Sequence, residues 1–283
     1  MWKLQKPTFK VEGVYKDCIS NLRDKELKKR HEQCINYISK ATKELEQKFI
    51  NNVAHTVEKV EDINNTVSTD EFKKLYTDKL VKKTQPGRKY YDQIISLAQY
   101  ETCPFCAHRD VDSIDHYLPK DIYPQYSISP INLVPACNHC NSIKRTNGFD
   151  NEFNILIHPY FNDIDMAKWL FCQIIESDPI AFTFYVNPPL VWGETLQKRI
   201  KYHFNSLELN KLYSSQASRE FRSRQNQIIK EYSLNGIEGV RYFIADSIES
   251  EESLILNSWR LAMLYALQEN KWFLHEWLPS HSV

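Results

Sequence analysis

The residues best suited to chemistry lie at positions 103–144, in the run CPFCAHRDVDSIDHYLPKDIYPQYSISPINLVPACNHCNSIK. Two Cys-x-x-Cys pairs, Cys103/Cys106 and Cys137/Cys140, bracket it. Two residues between cysteines make a tight knuckle that aims both sulfurs at one point, and two knuckles complete the tetrahedron Zn²⁺ favours. All four positions are filled by thiolates, so the ion is expected to be structural, with no open coordination site. Zinc would also close the long segment 107–136, contributing on the order of 10 kcal/mol or more. A thioredoxin-like redox pair is the competing reading, but neither pair opens a helix in a βαβ setting. A bare zinc module needs neither the Asp115-His116 dipeptide nor the run NLVPACNHCN.

Taken in order, these elements resemble the zinc-stapled form of the HNH endonuclease motif. They run Cys-x-x-Cys, Asp-His with Pro119 nearby, then Asn-Leu-Val-Pro-x-Cys-x-x-Cys-Asn-x-x-Lys. The resemblance implies a ββα-metal fold, in which a hairpin and a helix hold one divalent ion against the scissile phosphate. It makes Asp115 and Asn141 ligands of that ion, His116 the general base, and Asn132 the brace of the loop bearing the histidine. Asn141 stands where the family's letters carry a histidine; a neutral oxygen donor there points to Mg²⁺ or Mn²⁺. HNH proteins of this build occur in restriction and antiphage defence, sometimes as the nuclease partner of an ATPase, as in Septu-like systems. DNA and an ATPase or other protein are the partners this implies.

Phosphodiester hydrolysis asks for these residue types on its own terms. It needs a proton acceptor for the attacking water, and an imidazole with an ordinary pKa of about 6.5 serves at neutral pH. It also needs positive charge on the phosphoryl and leaving oxygens, which a hard cation held by a carboxylate and an amide supplies. Adjacent strand residues face opposite ways, so Asp115 and His116 can serve one site only if the strand is interrupted near Pro119.

The elements positioning these residues are mostly helical. Leu27, Cys34, Ile38, Ala41, Leu45 and Phe49 recur at helical steps and predict an amphipathic helix over 22–53. Its apolar stripe is expected to be buried by the chain's C-terminal helices or by a second copy, and the latter would give a homodimer. TDEFKKLYTDKLVKK predicts a second helix capped by Thr69 or Asp70, and RKYYDQIISLAQ a third. Strands are expected at VDSIDHYL and INLVPAC, with a short helix from Asn138 to Thr146. A helix through Trp169, a strand at IAFTFYV and a helical remainder follow. The expected fold is α+β and predominantly helical, with a ββα-metal zinc module embedded in a helical body. Its regions would be 1–98, 99–160 and 161–283.

Composition bounds the function. The 36 basic and 36 acidic residues cancel, so no global charge advertises a nucleic-acid partner. Lys82, Lys83, Arg88 and Lys89 lead into the cysteine module, Lys144 and Arg145 follow Asn141 with phosphate contact or plain surface charge as alternatives, and residues after 160 lean acidic. No phosphate-binding glycine motif and no Gly-x-Ser-x-Gly elbow occurs. The polar N-terminus and the lack of a long apolar run lead us to expect a cytoplasmic protein without a membrane partner. Cys18, Cys34 and Cys172 are then buried free thiols. His108 and His139 read as solvent-facing, and His158 as a structural cap or an accessory phosphate donor. Two other functions stay open: a non-catalytic zinc module that docks nucleic acid or protein, and an HNH nuclease acting on RNA.

Overall fold

The computed structural model describes residues 2–144 and 151–282. They divide into two compact units, Trp2–Asn162 and the residues from Asp163 onward. The chain is α+β, mostly helical with small two-stranded sheets. Among the described residues, no helix is long and apolar enough to cross a membrane.

The first unit contains both the N-terminal helices and the cysteine module. Helix α1 (Val11–Ser20) packs on α2 (Lys25–Ile50). Asp24 caps α2 by accepting the Leu27 N–H at 2.9 Å. The α2 stripe of Cys34, Ile38, Ala41, Leu45 and Phe49 is buried, with Leu27 half-buried. What covers it differs from expectation. Cys34 and Ile38 share a core with Tyr15, Cys18, Phe72 and Leu133, and Phe49 packs edge-on against Tyr117 and His158. Cys34, Ile38 and Phe49 of the stripe are thus covered from within this unit.

After a short hairpin of β1 (Asp62–Ile63) and β2 (Val67–Ser68) comes α3 (Thr69–Lys74). Its cap is Ser68, not Thr69 or Asp70. Only Ser68 has a glutamate three residues on, and the two close a reciprocal capping box. Arg30 from α2 grips the same Glu71 carboxylate with two nitrogens, at 2.9 and 2.6 Å. The expected helix continues only as a wide π turn, Leu75–Leu80, and α4 (Arg88–Ile95) follows. Lys82, Arg88 and Lys89 are each paired, with Asp78, Asp92 and Asp17. Strands β3 (Ser113–His116) and β4 (Leu133–Ala136) pair antiparallel, Asp115 opposite Val134 and His116 opposite Leu133. Helix α5 (Asn138–Lys144) follows directly.

In the second unit the helix expected through Trp169 is absent. Trp169 lies in extended chain leading into β5 (Leu170–Ile175), which pairs along its length with β6 (Ala181–Val186). Asn257 holds the approach, its Oδ1 accepting the Trp169 and Leu170 N–H groups at 2.8 and 3.3 Å. Helices α6 (Gly193–Ser206), α7 (Leu209–Glu252) and α8 (Trp259–Glu269) complete most of the unit. Gly236, at φ +65°, interrupts α7 with a backbone that side-chain-bearing residues avoid. The two halves of α7 fold back on each other, bringing Arg224 within 3.5 Å of Ser247.

Hydrogen bonds from Arg30, chiefly, pull the Glu71 carboxyl down to about 2 from its ordinary 4.5. A depressed carboxyl stabilises the fold above its unfolded pKa and loses that effect as pH falls through its folded value. Urea unfolding of Glu71→Gln beside wild type should therefore show a full stability gap at pH 7 that narrows from pH 4.5 toward pH 2. A gap independent of pH would contradict this assignment.

Candidate functional site

Cys103, Cys106, Cys137 and Cys140 are all buried, and their sulfurs lie within 4.8 Å of one another. Tetrahedral Zn–S bonds of about 2.3 Å place sulfurs about 3.8 Å apart, so the cluster fits such an ion. Each knuckle also turns a backbone N–H onto a sulfur: Arg109 onto Cys106 and Cys140 onto Cys137, both at 3.4 Å. These donors favour the charged thiolates that a metal requires. The four thiols are placed to hold a structural metal such as zinc.

One step from this cluster, β3 and α5 wall a cleft of about 380 Å³ whose lining includes Tyr76, Asp115, His116, Lys120, Asn141 and Lys144. Strand β3 ends at His116 and the chain turns at once, so Asp115 and His116 open onto the same cleft although they are neighbours. His116 is held by two contacts. Its Nε2 meets the Ser127 carbonyl at 2.9 Å, and its ring packs edge-on against Tyr76 at 4.3 Å. A carbonyl oxygen can only accept, so Nε2 carries the hydrogen and Nδ1 keeps its lone pair. Burial pulls the His116 pKa down to about 3; the Ser127 carbonyl opposes this, and Lys120 and Lys144 add to it. The imidazole is therefore neutral at physiological pH.

Asn132 is completely buried behind this wall. Its Oδ1 accepts the Leu118 N–H at 2.7 Å, while its Nδ2 donates to the carbonyls of Leu118 and Tyr126 at 3.0 and 3.2 Å. One side chain thus pins both ends of the turn following His116. Asn141 donates its Nδ2 to Ser113 Oγ at 3.5 Å, leaving its amide oxygen as the acceptor.

Lys144 departs from both sequence expectations. Far from offering surface charge, it is buried, its Nζ 2.6 Å from Asp115 Oδ2 and donating to the His116 carbonyl. Burial lowers its pKa and the Asp115 carboxylate works against that. The signal was in the sequence: Lys144 follows Asn141 by three residues, which puts both on one helix face. Tyr76 carried no such signal, since it arrives from the π turn some forty positions earlier. His158 is buried too, among the rings of Phe49, Tyr117 and Tyr160. Its Nδ1 accepts the Tyr160 N–H and its Nε2 meets the Ile131 carbonyl, so it packs the module's floor and does not face the cleft. His139 is exposed, and His108 and Cys172 are half-buried. Arg145 lies outside the described residues.

Two outcomes follow. Protein purified without chelator should carry one zinc per chain by elemental analysis, and Cys137→Ser should lose it; a metal-free, folded wild type would overturn this. Removing one member of a buried ion pair strands the other, so Lys144→Met should cost about 3–5 kcal/mol of stability. Adding Asp115→Asn should then cost less than the sum of the two single changes. Strict additivity in urea unfolding without divalent ions would deny the coupling.

No family model matches this chain, and no solved structure matches it. The protein ea31 of Escherichia phage lambda is 32% identical over 191 residues, 65% of this chain and 64% of that protein. The Septu protein PtuB of Bacillus thuringiensis is 32% identical over 78 residues, 26% of this chain and 30% of that protein. The chain thus spans less than two thirds of the length of either relative, and its likeness to a Septu protein is confined to a short stretch.

Proposed function

We propose that the chain is an HNH-type endonuclease that hydrolyses phosphodiester bonds in DNA. One observation carries this reading. Asp115, His116 and Asn141 open onto a single cleft beside a four-thiol cluster, and the Ser127 carbonyl on Nε2 leaves His116 Nδ1 unprotonated, as a base needs. In this role His116 Nδ1 takes the proton of a water whose oxygen attacks phosphorus, and the P–O bond to the leaving alkoxide breaks. Burial and two lysines disfavour the resulting imidazolium. A phosphate in the cleft brings negative charge within a few ångströms and raises the basicity again.

Asp115 and Asn141 are the residues that would hold a divalent ion. A carboxylate and an amide oxygen suit Mg²⁺ or Mn²⁺, and the ion would neutralise charge on the phosphate and the leaving oxygen. Lys144 supports that assignment, since its ammonium lies 2.6 Å from Asp115 Oδ2 and shows that this carboxylate accommodates a cation. Asn132 fixes the turn that carries His116. The partial likeness to a Septu protein supports a place in antiphage defence with a second protein as partner, an ATPase in the setting the HNH resemblance suggests.

Supercoiled plasmid incubated with and without Mg²⁺ is the direct test. Wild type should cut only with the ion. His116→Ala should reduce the rate by at least two orders of magnitude, as expected for loss of a general base, with zinc content and circular dichroism unchanged. Asp115→Ala and Asn141→Ala should raise the Mg²⁺ concentration giving half-maximal rate. If none of the three variants changes cleavage, the chemistry lies elsewhere. Intact binding of DNA or protein without any cleavage would favour the docking module instead, and cleavage of RNA alone would correct the substrate.

A further inference from the structure

A nuclease must grip phosphates, and the cations that line the candidate cleft among the described residues, Lys120 and Lys144, are paired with Asp121 and Asp115. Lys144 is buried on Asp115, while Lys82, Arg88 and Lys89 are paired with carboxylates. The second unit holds cations that are not.

Along α7, Lys211, Ser215, Arg219, Arg222, Asn226 and Lys230 follow one another at steps of four, four, three, four and four. Such steps keep all six on one helix face, and all six are exposed. From Lys211 to Lys230 the face runs about 28 Å at 1.5 Å per residue. It contains no Asp or Glu. The acids of this half of α7, Glu220 and Glu231, lie on the other side, and Glu220 is where Arg224 pairs, at 2.8 Å. Lys211 is 3.9 Å from Glu208 at the first turn. Among the described residues, the ion pairs of this unit include neither Arg219, Arg222 nor Lys230.

Arg219 and Arg222 also stand at a cleft of about 430 Å³ walled by Ile180, Phe221 and Trp277, with Asp178 its one carboxylate. Guanidiniums without a carboxylate partner along an exposed helix face suit a chain of phosphates. Charge complementarity thus names the occupant.

We infer that this face of α7 binds the phosphodiester backbone of the nucleic acid. The inference rests on the reading above and adds the surface that retains the substrate. Neutral overall composition hides it, because the unit's excess acid is carried on other faces.

The salt dependence of binding tests it. Full-length protein is titrated into a fluorescein-labelled 30-base-pair duplex, and separately into one of its strands, without added divalent ion, at several salt concentrations. Each phosphate contact contributes about 0.9 to the slope of log K against log salt for duplex and about 0.7 for a single strand. Replacing Arg219, Arg222 and Lys230 by Ala together should flatten the duplex slope by about 2.7, or the single-strand slope by about 2.1. The control Arg224→Ala with Arg241→Ala removes two cations paired with Glu220 and Glu238, and should leave the slope unchanged. An unchanged slope in the triple variant, an equal loss in the control, or polyglutamate binding as tightly as DNA would overturn the inference. Its failure is distinguishable from failure of the nuclease reading. Binding through this face without cleavage sinks only the latter, and Mg²⁺-dependent cleavage with an unaltered slope sinks only the former.

Discussion

Four sulfurs gathered within 4.8 Å are the constraint on which the site depends. Thiolates that close repel one another unless a cation lies among them, so a metal there would hold the chain before β3 and the start of α5 to one point. The segment between the knuckles has little of its own to close it, since β3 and β4 are four residues each. With the knuckles joined, Asn141 is fixed beside Cys140 and brought opposite Asp115.

Two further ties refine what the cluster starts. Lys144 binds the far end of α5 to β3 through Asp115 and the His116 carbonyl, so the helix is anchored at both ends. Asn132 grips the turn after His116 from below. A buried ion pair is a poor device for stability, because desolvation cancels most of its attraction. Its value here is orientation: the carboxylate and the imidazole's backbone are fixed by one ammonium. Packing from α2 and the π turn then closes the back of the module, through Phe49 on Tyr117 and Tyr76 on His116. The helical body is thus the wall of the site as well as its scaffold.

The charges of the two units are arranged differently. The cleft of the first is a buried, closely balanced set of charges in which a single proton or ion matters. The second unit presents solvated cations along a helix; in the proposed binding role their sum would set affinity.

The features that depend on residue spacing are legible in the chain alone. Two Cys-x-x-Cys pairs mark a candidate metal cluster, because the knuckle is a local geometry. The α2 stripe is legible for the same reason, as a helical repeat, and the stretches VDSIDHYL and INLVPAC read as strands contain β3 and β4. Tertiary structure decided the rest. The stripe's cover came from Tyr15, Phe72 and Leu133, and no local pattern names a partner across a core. Trp169 is not helical because its backbone groups are taken by the Asn257 side chain and the Asn187 N–H, both distant in sequence. Lys144 changed from surface charge to buried counter-ion because Asp115, twenty-nine positions earlier, was folded against it. Burial and charge pairing are properties of neighbours in space, and a chain read in order lists only neighbours in sequence.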